Sequence, residues 1–84
     1  MEQKEELCIP LMLAEAGRPY RVTRVTSEQE QRLALAEQGV YPGVILEYLR
    51  RNEESERFSL DAVVHKTPLS LDREQAVAIW VEEV

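Results

Sequence analysis

Residues Gln31 to Glu47 read QRLALAEQGVYPGVILE, and few folds accommodate that order of residues. An apolar-periodic run ends at Gly39, a single apolar residue follows, and Pro42-Gly43 opens onto Val44-Ile45-Leu46. This pattern predicts a helix that stops on a left-handed glycine and re-enters a sheet through a tight turn. Ser27, with Glu30 three residues on, is expected to cap the helix start as a capping box. At the helix end, Gly39 suits the residue after the last turn. Val40 suits the position beyond it, where a Schellman ending sets it against Leu35. Tyr41-Pro42-Gly43-Val44 then reads as a type II turn, with proline holding φ and glycine taking the positive φ.

The flanking segments read as short strands. Arg18 to Thr26 is rich in Val, Thr and Tyr. Its alternation pairs Tyr20 with Val22 and then slips by one to reach Val25, so a bulge is expected near Thr23 and Arg24. Val44 to Arg51 is the next strand, Asn52 to Ser55 a polar loop, and Phe58 to His65 an antiparallel return. Lys66-Thr67-Pro68 reads as a turn and Leu69-Ser70-Leu71 as a short strand. Asp72 with Gln75 caps a helix from Arg73 to Ala78, and Ile79 to Glu83 closes the chain as a strand. Residues 1 to 7 are polar and are expected to be flexible, leaving one domain over 8–84. The fold class expected is mainly β with two short helices, a small β-barrel that closes its sheet edges.

Charge and composition remove several function classes. At 84 residues the chain makes one domain with a small core. A net charge of -6 argues against nucleic acid, because phosphate contacts need a concentrated basic surface. Arg18, Arg21 and Arg24 form one local basic stripe, read as a solvated strand face, with an anion or partner site as the alternative. A single cysteine, Cys8, fits a reducing compartment better than a secreted disulfide scaffold. No run approaches the roughly 18 apolar residues of a membrane span, and the opening MEQKEEL lacks the features of a signal peptide. A cytoplasmic protein without direct membrane insertion is expected.

Residues for chemistry are sparse. A Cys8–His65 pair is the one nucleophile and base combination available, and nothing in the sequence brings the two together. One histidine and one cysteine do not complete a zinc site within a monomer. Glu53, Glu54 and Glu56 match no calcium-loop spacing. Gly17, Gly39 and Gly43 are too scattered for a phosphate loop. The expectation is therefore no enzyme, no cofactor and no metal site.

What remains is surface. Alternation turns Ile79 and Val81 inward and Trp80 outward with Glu82. Ile45 and Leu49 face outward from their strand, and Val63 and His65 from the next. An outward tryptophan beside outward Leu, Ile and Val makes a patch that something is expected to cover. Either the chain's own Cys8 to Leu13 segment folds across it, or another protein does, with Trp80 as anchor.

The layout resembles the ferrous iron transport protein A (FeoA-like) family. The residues that carry the resemblance are Pro10-Leu11, Gly17, Leu33, Gly39-Val40-x-Pro42-Gly43, Leu69, Leu71, Ala76 and Ile79-x-Val81. Departures are Gln38, Tyr41, a hairpin without glycine, and no glycine near Lys66. The resemblance implies an SH3-like β-barrel acting as a cytosolic, non-enzymatic accessory to FeoB, a ferrous iron transporter with a GTPase domain. The partner surface expected is Gly39, Val40, Tyr41, Pro42 and Gly43 together with Trp80. The alternatives are a general SH3-like interaction module, homo-oligomeric or not, and a metal-sensing domain. The same domain type also occurs fused to metal-dependent repressors, but no helix-turn-helix accompanies it here.

Overall fold

The computed structural model describes residues 8–54 and 57–84; the expected flexible stretch at 1–7 lies outside them. Six strands form one antiparallel sheet: β1 (Ile9–Pro10), β2 (Arg18–Val25), β3 (Ile45–Glu54), β4 (Arg57–Val64), β5 (Thr67–Leu71) and β6 (Ile79–Glu83). Their order is β1-β6-β2-β3-β4-β5. A 3-10 turn, Leu11–Leu13, follows β1; α1 (Gln29–Glu37) links β2 to β3, and α2 (Arg73–Ala78) links β5 to β6.

Alternation determines the inner face. Tyr20 and Val22 of β2, Leu46 and Tyr48 of β3, Leu60, Ala62 and Val64 of β4, and Ile79 and Val81 of β6 are all buried. The bulge falls where the sequence places it, between Val22 and Arg24 in the β2–β6 pairing. Two glycines end the connections as expected. Gly39 has φ +98° and Gly43 φ +101°. The Val40 N–H donates to the Leu35 carbonyl and the Gly39 N–H to that of Ala36, both at 2.9 Å, which is the Schellman pair. The Val44 N–H reaches the Tyr41 carbonyl at 3.2 Å and closes the turn. Asp72 and Gln75 form the expected capping box on α2.

Other expectations are corrected. The helix α1 begins at Gln29 with Glu28 at its cap and no side-chain cap bond. Ser27 instead offers its backbone carbonyl to the Arg32 guanidinium at 2.8 Å, so the expected capping box does not form. The loop expected from Asn52 is strand: Asn52 pairs with Ser59, Glu53 with Phe58 and Glu54 with Arg57. This polar arm has no core to signal it. Its anchor is Phe58, with the guanidinium of Arg73 4.9 Å from the ring centroid and that of Arg51 at 5.8 Å. Residues 55 and 56 at the hairpin tip lie outside the described residues. His65 is not in a strand either: β4 ends at Val64, and His65 and Lys66 turn the chain with φ 53° and 68°. Two successive positive φ values are the signature of a type I′ turn, here without the usual asparagine or glycine. Lys66 is where the family's glycine was expected.

The barrel does not seal its edges by hydrogen bonding. β1 and β5 end the ladder, and α2 packs against the 3-10 turn, β1, β4 and β6 instead. Leu11 and Ala76 fill that closure, both fully buried. Polar ties hold the N-terminal segment in place. Arg51 donates to the Tyr48 hydroxyl at 2.9 Å and to the Met12 carbonyl. The bond to Tyr48, opposed by partial burial and reinforced by Glu53, raises the Arg51 pKa above its ordinary value. Tyr20 and Glu15 exchange two bonds: the tyrosine hydroxyl donates to the Glu15 carbonyl and accepts from its N–H, each at 3.0 Å.

Leu11 and its near neighbour Leu13 make a clean contrast, since Leu13 is 70% exposed. Leu11→Ala should cost about 2–5 kcal/mol of unfolding free energy. Leu13→Ala should stay within about 0.5 kcal/mol of wild type. Urea unfolding of the three proteins measures both, and equal midpoints for the two variants would mean that Leu11 does not anchor the segment.

Candidate interaction surface

The exposed face beside α1 is built by three local devices. First, the β2 bulge shifts the alternation by one residue. Arg24 therefore lies exposed on the outside, opposite Trp80, and Val25 turns back toward the interior. Its guanidinium carbon sits 4.7 Å from the Trp80 ring centroid, a cation–π stack. The Thr23 hydroxyl donates to the Trp80 carbonyl at 3.1 Å and pins the strand pair at that point.

Second, α1 presents Gln29, Arg32, Leu33 and Ala36 along one stripe, at spacings i, i+3, i+4 and i+7. Leu35 alone of the helix is buried, so the helix packs by one residue and leaves Leu33 56% exposed. Third, the helix end and turn set Val40, Tyr41 and Pro42 opposite that stripe. Gly39 has to be glycine there: a Cβ would meet Val64 Cγ1 at 3.2 Å, on a backbone already in the left-handed region.

Between these parts runs a cleft of about 390 Å³ lined by Arg24, Val25, Gln29, Arg32, Leu33, Ala36, Val40, Tyr41 and Pro42. Tyr41, 43% exposed, also borders a second shallow cleft with Ile45, Val63, His65 and Lys66. The turn residues named from sequence are therefore brought together. Val40 is buried in the floor, Tyr41 and Pro42 are on the rim, and Gly39 and Gly43 set the backbone. Trp80 does not line the cleft but reaches it through Arg24. Of Arg24, Arg32 and Leu33, the sequence reading places only Arg24 on the surface, in the stripe with Arg18 and Arg21; it does not single out Arg32 and Leu33 as surface residues. The i, i+3, i+4, i+7 spacing on α1 is the signal that points to the latter two.

The outward apolar patch is not continuous. Arg21 of β2 lies between Trp80 and Ile45 and pairs with Glu82 at 3.2 Å, dividing them with an ion pair. Cys8 to Leu13 does not fold across Trp80 either. β1 lies edge-on, Pro10 opposite Trp80 and Ile9 opposite Val81, because Leu11 is drawn into the core. Cys8 is half-buried ahead of β1, while His65 is exposed between β4 and β5. The sheet order sets those two at opposite edges of the ladder. Among the described residues, no three His, Cys, Asp or Glu side chains are placed to hold a metal ion. Among the same residues, no helix is long and apolar enough to cross a membrane.

Comparison with known proteins gives a family. The FeoA domain model matches residues 9–83. The chain belongs to the FeoA domain family. None of the curated proteins matches it. Among solved structures it is similar to an iron uptake regulatory protein (FeoA), with TM-score 0.78 and 18% identity over 93% of this chain and 100% of that one. It is also similar to the FeoA protein from Chlorobium tepidum, with TM-score 0.79 and 25% identity over 90% of this chain and 70% of that one. A manganese-dependent transcriptional repressor shares the fold at TM-score 0.80 and 22% identity; the match covers 96% of this chain and 44% of the repressor. The fold is thus SH3-like, as the FeoA resemblance implies.

Gly39→Ala tests the helix stop on which the cleft rests. The strained φ and the contact with Val64 should together cost about 1–2 kcal/mol. Thermal or urea unfolding reads the loss, and an unchanged midpoint would show that the helix end tolerates a side chain.

Proposed function

We propose that this chain is a cytosolic, non-enzymatic accessory protein of ferrous iron uptake that works by binding a FeoB-type GTPase transporter. Membership of the FeoA family implies involvement in ferrous iron transport, and the family's domains are small and non-catalytic. The observation that favours a binding role is the cleft itself. Leu33 and Tyr41 are large apolar side chains held in the open by a helix stop and a turn that tolerate few other sequences. A soluble domain this small gains stability by burying such residues, so leaving them exposed on a rigid frame suits a surface that a partner covers.

Trp80 enters this reading as the platform that steadies Arg24 at the cleft. Tryptophan and arginine are the residue types most enriched among interface anchors.

The test is a calorimetric titration of this protein into the transporter's cytosolic GTPase domain, with and without a GTP analogue, followed by the full transporter. Saturable binding is expected, and sensitivity to the nucleotide would mean that the accessory reads the GTPase state. Trp80→Ala should weaken that binding by about tenfold or more while the amide NMR spectrum stays dispersed. Absence of binding to domain and transporter alike would sink the proposal and leave a general interaction module unrelated to iron. Collapse of the Trp80→Ala spectrum would make Trp80 a folding residue instead.

A further inference from the structure

We infer that the cleft between α1 and the Tyr41–Pro42 turn receives a protein segment carrying carboxylates beside apolar side chains, gripped by Arg24 and Arg32. This deepens the accessory reading and rests on it only in that the chain acts by binding protein.

Charge sets this cleft apart from the rest of the surface. The chain has 16 acidic and 10 Lys or Arg residues, and four of its eight arginines are answered by a carboxylate within the fold. Arg18 pairs with Glu15 and Glu83, Arg21 with Glu82, Arg50 with Asp61 and Arg51 with Glu53. Among the described residues, Arg24 and Arg32 have no carboxylate within salt-bridge distance, and both line the cleft. No aspartate or glutamate lines it with them. Two unanswered cations facing one apolar cleft, on a protein whose net charge is -6, complement an acidic and apolar ligand.

The geometry holds both guanidinium groups in place before any ligand arrives. Arg24 is turned outward by the bulge and stacked on Trp80 at 4.7 Å. Arg32 spends one N–H on the Ser27 carbonyl at 2.8 Å, which leaves the rest of a five-donor fork available. Between them Leu33 and Tyr41 offer apolar surface. An arginine whose rotamer is already fixed loses less entropy when it meets a carboxylate. Basic segments are repelled by the same two groups, so the cleft selects as well as binds.

The test is a selection from a display library of random peptides about a dozen residues long, run against the intact protein and against R24E/R32E. Wild type should enrich peptides that combine Asp or Glu with Leu, Ile, Phe or Trp. Enriched peptides should bind about tenfold more weakly to R24E/R32E, and their affinity for wild type should fall as salt rises. Amide shifts on titration should centre on Leu33, Val40 and Tyr41, and the spectrum of the free variant verifies its fold. No enrichment, enrichment of neutral or basic peptides, or equal binding to R24E/R32E would overturn the inference. Binding to phosphatidylglycerol vesicles without peptide selection would overturn it in favour of a lipid surface. The titration with the transporter is a separate measurement: its failure removes the iron-uptake reading and leaves the selection result standing.

Discussion

Leu35 and Val40 meet across the end of α1, and the position of that contact determines most of the exposed face. The Schellman bonds place Val40 in the core beneath the helix, so the chain leaves α1 in one direction only. The type II turn then carries Tyr41 and Pro42 back over the helix stripe before β3 begins. Gly39 makes this arrangement possible because Val64 of β4 approaches the position where a side chain would start. Helix, turn and sheet are thus locked by one close approach, and the cleft inherits its shape from it. A helix held by a single buried leucine would otherwise have little to orient it.

Charge is distributed around that frame with a clear division. Along β2 the arginines at 18 and 21 are met by Glu83 and Glu82 from β6. Exposed pairs of this kind contribute little stability, about 0–1 kcal/mol each. Their larger consequence is topographic, since the Arg21–Glu82 pair separates Trp80 from the apolar side chains of β3. Arg24, one bulge further on, leaves the pattern and stacks on an aromatic ring instead. The same backbone irregularity that restores Val25 to the interior therefore frees one cation for the outer face.

The rest of the molecule shows how a short chain closes a sheet whose edges do not pair. Leu11 plugs the opening between β6 and α2, and Arg51 and Tyr20 tie the following residues down through backbone carbonyls. Hydrogen bonds to backbone groups suit this task, because the segment has no regular ladder of its own beyond the two residues of β1. Edge strand β5 carries Pro68, which offers no N–H to a neighbouring strand.

Much of this was legible in advance wherever the signal is local. Alternation in β2, β3, β4 and β6 is a property of successive residues, and so are the Gly39 stop, the Pro42-Gly43 turn and the Asp72–Gln75 box. Signals of that kind misled at Ser27, where Arg32 takes the backbone carbonyl and Glu28 becomes the cap. They were absent at His65-Lys66, whose left-handed turn is imposed by the register of β4 on β5. They were absent too in the polar arm of β3, where aromatic and guanidinium groups from distant segments replace a core. The sequence by itself determined which faces are buried and how α1 ends, because both depend on residues within a few positions of each other. Only the tertiary structure decided that Trp80 and Ile45 are parted by an ion pair, and that Arg24 and Arg32 share a cleft. Those depend on strand order and on a bulge, which bring together side chains that no spacing along the chain relates.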